Sequence, residues 1–118
     1  MVVWLCQKRL AKLTTTAMDA IERSPILISP MVLLELQYLY EINRILQPPQ
    51  LLFRQLSTQI GLQKCEHPFP DVIETSLFEN WTRDPFDRVI VAHARSNGLS
   101  PLISSDTTIH EHYSGAIW

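Results

Sequence analysis

Two short apolar runs in this sequence are each followed at once by residues that begin helices, and this repeated order limits the possible folds. Residues 26–29 read ILIS, and Ser29 can cap a helix that has Pro30 in its first turn. Residues 101–104 read PLIS, and Asp106, another capping residue, follows them. Strands that alternate with helices in this way are typical of a parallel sheet with helices on both faces. The sequence therefore predicts an α/β fold.

Apolar periodicity and helix breakers predict the other elements. Helices are expected over residues 2–9, from Thr15 or Thr16 to about Ser24, from Pro30 to about Leu46, and over 50–59, 71–80, 85–97 and 107–112. Further strands are expected over residues 62–66 and 115–118. Three or four short strands make a thin sheet for so many helices.

Size and composition fit one globular domain over residues 1–118, with 46% apolar residues. The net charge of −2 gives no general basic field for binding nucleic acid, so any such contact must be local. Cys6 and Cys65 are too few for a disulfide framework and are expected to be buried thiols in a reducing cytosol. No apolar run reaches the ~18 residues that span a membrane, and the first ten residues lack the order of a secretory signal. We expect a cytoplasmic protein without membrane contact.

Glu35 is the most informative residue of the sequence. Gln37, Glu41 and Arg44 form the polar stripe of its predicted helix, and Glu35 points about 160° away from Gln37. A buried carboxylate must be compensated by a partner or become protonated. An arginine partner or a position at the rim of the core would be enough, but perturbed acids concentrate at functional sites, and we favour a functional role.

Three aspartates have an ordinary structural explanation as well. Asp84 and Asp87 stand at the N-cap and the third position of a helix that begins with Pro85, and Asp106 can cap the helix after it. In a parallel sheet, however, Glu35, Asp87 and Asp106 should all approach the carboxyl edge, where such folds bind ligands. Converging carboxylates repel each other unless a cation neutralises them, and oxygen ligands suit Mg²⁺ or Mn²⁺. Capping and metal binding both remain open at this point.

Three segments of the sequence resemble, in order and spacing, the PIN-domain toxins of VapC type. These segments are ILISPMVLLELQYLYEINRI, WTRDPFDRVIVAHA and PLISSDTTIHEHY. The resemblance covers nearly the whole chain and implies a three-layer α/β/α sandwich with a central parallel sheet. It also implies an endoribonuclease that depends on Mg²⁺ or Mn²⁺ and is blocked by a cognate antitoxin, with RNA as the substrate and a homodimer as one possible state.

The resemblance also assigns roles to particular residues. Those that match the acidic site of the family, as catalytic groups and metal ligands, are Glu35, Asp87 and Asp106. Four further residues are candidate supporting contacts to the ligands or to a phosphate: Asp84, Arg88, Ser104 and Ser105.

The sequence departs from the family pattern at its front. Family members begin with a strand that ends in an aspartate, and that aspartate would stand about three residues before Met1 here. We therefore expect a fold without its central first strand, together with weakened metal binding and little or no cleavage. To explain this departure, we favour a start codon assigned too far downstream over a gene that has decayed.

A second function is compatible with the same sequence, namely an inactive PIN-like remnant or interaction module that only binds an antitoxin. The helix over residues 31–46 carries Leu34, Tyr38, Leu39 and Tyr40, which could form a groove for a partner helix. An ordinary role in the core is favoured for these four side chains. A rise in melting temperature on adding Mg²⁺ or Mn²⁺ would separate the enzyme from the module.

Overall fold

The computed structural model describes residues 3–5, 14–23, 25–98 and 100–118. Within these residues there are five strands and six helices. The strands are β1 (Val3–Leu5), β2 (Ile26–Ile28), β3 (Gln63–Lys64), β4 (Leu102–Ile103) and β5 (Ala116–Ile117). The helices are α1 (Thr15–Arg23), α2 (Pro30–Glu41), α3 (Pro49–Ile60), α4 (Phe69–Ser76), α5 (Pro85–Ser96) and α6 (Thr107–His112).

The five strands form one parallel sheet in the order β3-β2-β1-β4-β5, which confirms the predicted α/β class. The chain moves outward from β1 through β2 to β3, and then returns to add β4 and β5 on the other side of β1. This order creates a topological switch point between β1 and β4, and ligands of open α/β sheets bind at the carboxyl ends of the strands beside such a point. The arrangement of the helices in two layers stays a prediction.

The predicted helix over residues 2–9 is wrong where the structure describes it. Val3–Leu5 form the central strand, with Val3 opposite Ile26 and Trp4 opposite both Leu27 and Leu102. The expectation of a missing central strand is accordingly not confirmed. A short apolar run suits a helix or a buried strand equally well, and pairing with strands on both sides satisfies its backbone groups. Residues 6–9, including Cys6, lie outside the described part of the chain.

Helix α2 begins and ends through local backbone chemistry. Ser29 is its N-cap, with its Oγ accepting a hydrogen bond from the Met31 amide at 3.1 Å, as predicted. The helix ends at Glu41 rather than near Leu46, because Asn43 adopts a left-handed conformation with φ 61°. The Arg44 amide then bonds back to the Leu39 carbonyl, as in a Schellman motif. Asparagine tolerates this conformation better than most residues, so it can end a helix without glycine.

Helix α5 lies inside the fold and organises the elements around it. Its residues 89–94 are all buried, which explains why the sequence after Arg88 is apolar except for His93. It packs against α2 and α4, while the strand residues Ile26, Leu102 and Ile103 are almost inaccessible to solvent. None of the helices in the described ranges is long and apolar enough to cross a lipid bilayer.

Candidate metal centre

Two acidic residues stand at the N-terminus of α5, Asp84 at the N-cap and Asp87 in the first turn. Asp84 is the N-cap, with its Oδ1 accepting hydrogen bonds from the Phe86 amide at 2.8 Å and the Asp87 amide at 3.4 Å. Pro85 occupies the first helical position, where its missing N–H costs nothing. The predicted capping role of Asp84 is therefore confirmed. Both bonds use one oxygen of the carboxylate, which has a second oxygen for another ligand.

Glu35 is buried in the second turn of α2, with only 6% of its surface exposed. It stands on the same side as Val32 and Leu36, which are also buried, so the predicted apolar position of this carboxylate is confirmed. Helix α2 packs against α5. This contact brings Glu35 to the acidic first turn of α5.

Glu35, Asp84 and Asp87 form a compact acidic cluster in which one possible ligand atom of each lies within 4.8 Å of the others. Two unit charges at this distance repel by about 1 kcal/mol in bulk water and by about 3 kcal/mol at an effective dielectric constant of 20. The arrangement is unfavourable by itself, and a divalent cation would convert it into an attractive one. Three carboxylates with room for water are the donor set that Mg²⁺ and Mn²⁺ prefer. The residues present therefore fit a divalent metal ion.

Asp106 is not part of this cluster in the described structure. It follows β4, is exposed, and caps α6, accepting hydrogen bonds from the Thr108 amide at 2.8 Å and the Ile109 amide at 3.4 Å. Its capping role is confirmed, and its role as a metal ligand stays a prediction. Asp84, predicted only as a supporting residue, lies in the cluster with Glu35 and Asp87.

Two of the predicted supporting residues bind backbone groups near the acidic side chains. The Arg88 Nε donates to the Thr82 carbonyl at 2.8 Å, which holds the segment before Asp84. Ser104 is buried, and its Oγ accepts from the Asp106 amide at 3.1 Å, so this hydroxyl shapes the turn into α6. Ser105 is exposed at the same turn. A phosphate contact by any of the three stays a prediction.

A buried hydrogen bond that was not predicted from the sequence connects the N-cap of α2 to α5. His93 is 3% exposed, and its Nδ1 lies 2.8 Å from the Ser29 Oγ. Burial lowers the pKa of His93 below its ordinary value of 6.5, and a nearby His67 lowers it further, against a backbone hydrogen bond involving Val89 that raises it. The sequence feature that could have indicated this contact is a histidine inside an apolar helical run. The bond fixes α2 against α5, the helices that carry the acidic cluster.

An acidic cluster with one buried member, formed between α2 and the first turn of α5 in a parallel α/β fold, defines this chain as a candidate divalent-cation protein. The chain belongs to the PIN domain family, whose family model matches residues 2–114. Proteins of this family are generally nucleases, often parts of toxin–antitoxin pairs, and they typically use a divalent metal ion. A search of curated proteins found no match to the chain.

Proposed function

We propose that this chain is a metal-dependent endoribonuclease of the VapC toxin type, with its metal ion held by Glu35, Asp84 and Asp87. The single observation that supports the metal site most directly is the cluster of three carboxylates within 4.8 Å, one of them buried. Membership of the PIN domain family supports nuclease chemistry. RNA as the substrate, Mg²⁺ or Mn²⁺ as the ion and an antitoxin as the inhibitor come from the sequence resemblance.

The residues of the cluster have separable tasks in such a reaction. Glu35 supplies a carboxylate that the surrounding core holds in place, so it can fix the position of the ion. Asp84 and Asp87 stand at the N-terminus of α5 and are partly exposed to solvent. A bound Mg²⁺ or Mn²⁺ would supply an activated water and stabilise the charge that develops on the phosphoryl group. These side chains would hold such an ion at a site that is open to solvent and therefore to a phosphodiester.

The experiment that tests this function measures metal binding and cleavage together. The purified chain is titrated with MnCl₂ while its melting temperature is followed, and fluorescent RNA is incubated with the chain and Mn²⁺. We expect a saturable rise in melting temperature, and any cleavage should be lost in Asp87→Asn. Glu22→Gln, at an exposed position of α1, serves as the control and should behave as the wild type. A melting temperature that does not change with Mn²⁺ or Mg²⁺ up to millimolar concentrations would contradict the proposal.

A second candidate function, an antitoxin-binding module, is favoured by an exposed apolar surface on α2. Leu34, Tyr38 and Tyr40 are 55%, 54% and 39% exposed, so the ordinary core role favoured for them from the sequence is wrong. Leu39, in contrast, packs against the core, as that interpretation expected. Large exposed apolar side chains grouped on one helix mark interaction surfaces.

Of these exposed side chains, Leu34 lines a groove of about 740 Å³ between α2 and α3. Leu33, Leu34, Pro49 and Phe53 line it, together with the basic side chains of Arg54 and Lys64. We infer that an antitoxin segment with apolar anchors and acidic flanks would fit this groove. Coexpression with the neighbouring open reading frame should give a stable complex. Leu34→Arg should abolish that complex, while Met18→Arg on α1 should not.

A further inference from the structure

The segment between α4 and α5, residues 77–84, is fastened to α5 at three successive levels. Close to its beginning, the Glu79 Oε1 accepts a hydrogen bond from the Arg95 Nε at 2.5 Å, in the last turn of α5. In its middle, the Thr82 carbonyl accepts from the Arg88 Nε at 2.8 Å. At its end, Asp84 caps α5. The segment therefore runs along α5 from the last turn to the first, and Asp84 at its end lies in the acidic cluster.

Glu79 is the anchor of this segment at the end distant from the cluster. Its side chain is 4% exposed, and its other oxygen, Oε2, accepts a hydrogen bond from the Trp81 Nε1 at 2.6 Å. Both carboxylate oxygens are thus used, one by a guanidinium and one by an indole. The predicted helix over 71–80 included Glu79, but α4 ends at Ser76, and this carboxylate stands in the connecting segment.

The groups that hold Glu79 are themselves held by α6 and the chain after it. The Trp81 ring stacks on the His112 ring, with centroids 5.1 Å apart and an interplanar angle of 7°. The Arg95 guanidinium lies 5.1 Å from the centre of the Tyr113 ring. The network therefore joins three parts of the chain: the segment before the cluster, the last turn of α5, and the end of α6.

We propose that Glu79 is a positioning residue for the acidic cluster, because its buried carboxylate sets the path of residues 77–84 and thereby the place of Asp84. An ion pair with a buried carboxylate contributes little net stability by itself, and the best attested use of such a pair is to select one conformation. The conformation selected here is the one that brings Asp84 within 4.8 Å of Glu35 and Asp87. This inference rests on the proposed metal site.

The test compares Mn²⁺ affinity with metal-free stability in matched variants of the full chain. Glu79→Gln keeps the shape and an acceptor for Trp81 but loses the charge that pairs with Arg95. We expect its dissociation constant for Mn²⁺, from the rise in melting temperature, to be about tenfold weaker than that of the wild type, in line with other residues that support metal ligands. Trp81→Phe keeps an aromatic ring, removes the bond to Oε2, and should weaken Mn²⁺ binding in the same direction.

Tyr113→Phe provides the control for a purely structural effect. It removes the hydrogen bond from the Tyr113 hydroxyl to the Ser100 carbonyl, at 2.6 Å, while keeping the ring beneath Arg95. It should lower the metal-free melting temperature and leave the dissociation constant within twofold of the wild-type value. If Glu79→Gln and Trp81→Phe also lower only the metal-free melting temperature, the positioning role is refuted. If the wild type binds no Mn²⁺, the proposed metal site itself fails, and this inference fails with it.

Discussion

Replacing Glu35 by glutamine should raise the stability of the metal-free protein and remove most of its response to metal. The change keeps the size of the side chain and lies in the middle of α2, so no helix cap is altered. It removes two repulsive pairs, those with Asp84 and Asp87, at a separation of at most 4.8 Å. Because both aspartates reach solvent, we take the weaker end of the Coulomb range, about 1 kcal/mol for each pair.

These free-energy changes correspond to measurable shifts in melting temperature. Relief of about 2 kcal/mol, less about 1 kcal/mol for a buried amide with imperfect hydrogen bonds, leaves a gain of about 1 kcal/mol. For a domain of this size that gain corresponds to a rise of about 4 °C. The wild type at a metal concentration of 100 times its dissociation constant should gain about 2.7 kcal/mol, or about 10 °C. If the variant binds 100-fold more weakly, the same metal concentration adds only about 0.4 kcal/mol.

The assay is differential scanning fluorimetry of wild type and Glu35→Gln, with EDTA and with saturating MnCl₂. In EDTA the variant should have the higher melting temperature, and in Mn²⁺ the wild type should have the higher one. Glu22→Gln controls for the loss of one negative charge elsewhere on the surface. A variant that melts lower in EDTA and keeps the full response to Mn²⁺ would show that Glu35 is an ordinary core residue and that the cluster is not a metal site.

Three other predictions concern the caps and the buried histidine. Ser29→Ala removes a helix cap and the partner of His93, and should lower the free energy of unfolding by about 2 kcal/mol in urea denaturation; a change below about 0.5 kcal/mol would contradict this. The pKa of His93 lies below 6.5 in the folded protein and near 6.5 in the unfolded chain. At a pH between these two pKa values the unfolded chain binds more protons than the folded protein. The contribution of His93 to stability therefore falls as the pH drops below about 6.5. His93→Gln should therefore have a flatter melting-temperature profile than the wild type from pH 7.5 to 5.0, and parallel profiles would refute this origin. Asp106→Asn should keep the Mn²⁺ response, because asparagine also caps helices and Asp106 lies outside the cluster; a lost response would instead support the ligand role predicted from the sequence.

Much of the candidate site could be predicted because it depends on signals that are local in sequence. Asp84 and Asp106 cap helices as expected, since a capping carboxylate contacts amides only two and three residues away. The burial of Glu35 follows from helical periodicity alone. That Glu35 and Asp87 lie close together was predicted, but the presence of Asp84 beside them was not, and a ligand role for Asp106 stays a prediction.

The sequence by itself determined the α/β class, the caps of α2, α5 and α6, and the buried position of Glu35, because capping and periodicity act over a few residues. Only the tertiary structure decided that Val3–Leu5 form the central strand, since a short apolar run takes its conformation from the strands that pair with it. The same is true of the bond between Ser29 and His93, which joins residues 64 positions apart. Such contacts depend on how α2, α5 and the segment before α5 pack together, and no local pattern of residues specifies that packing.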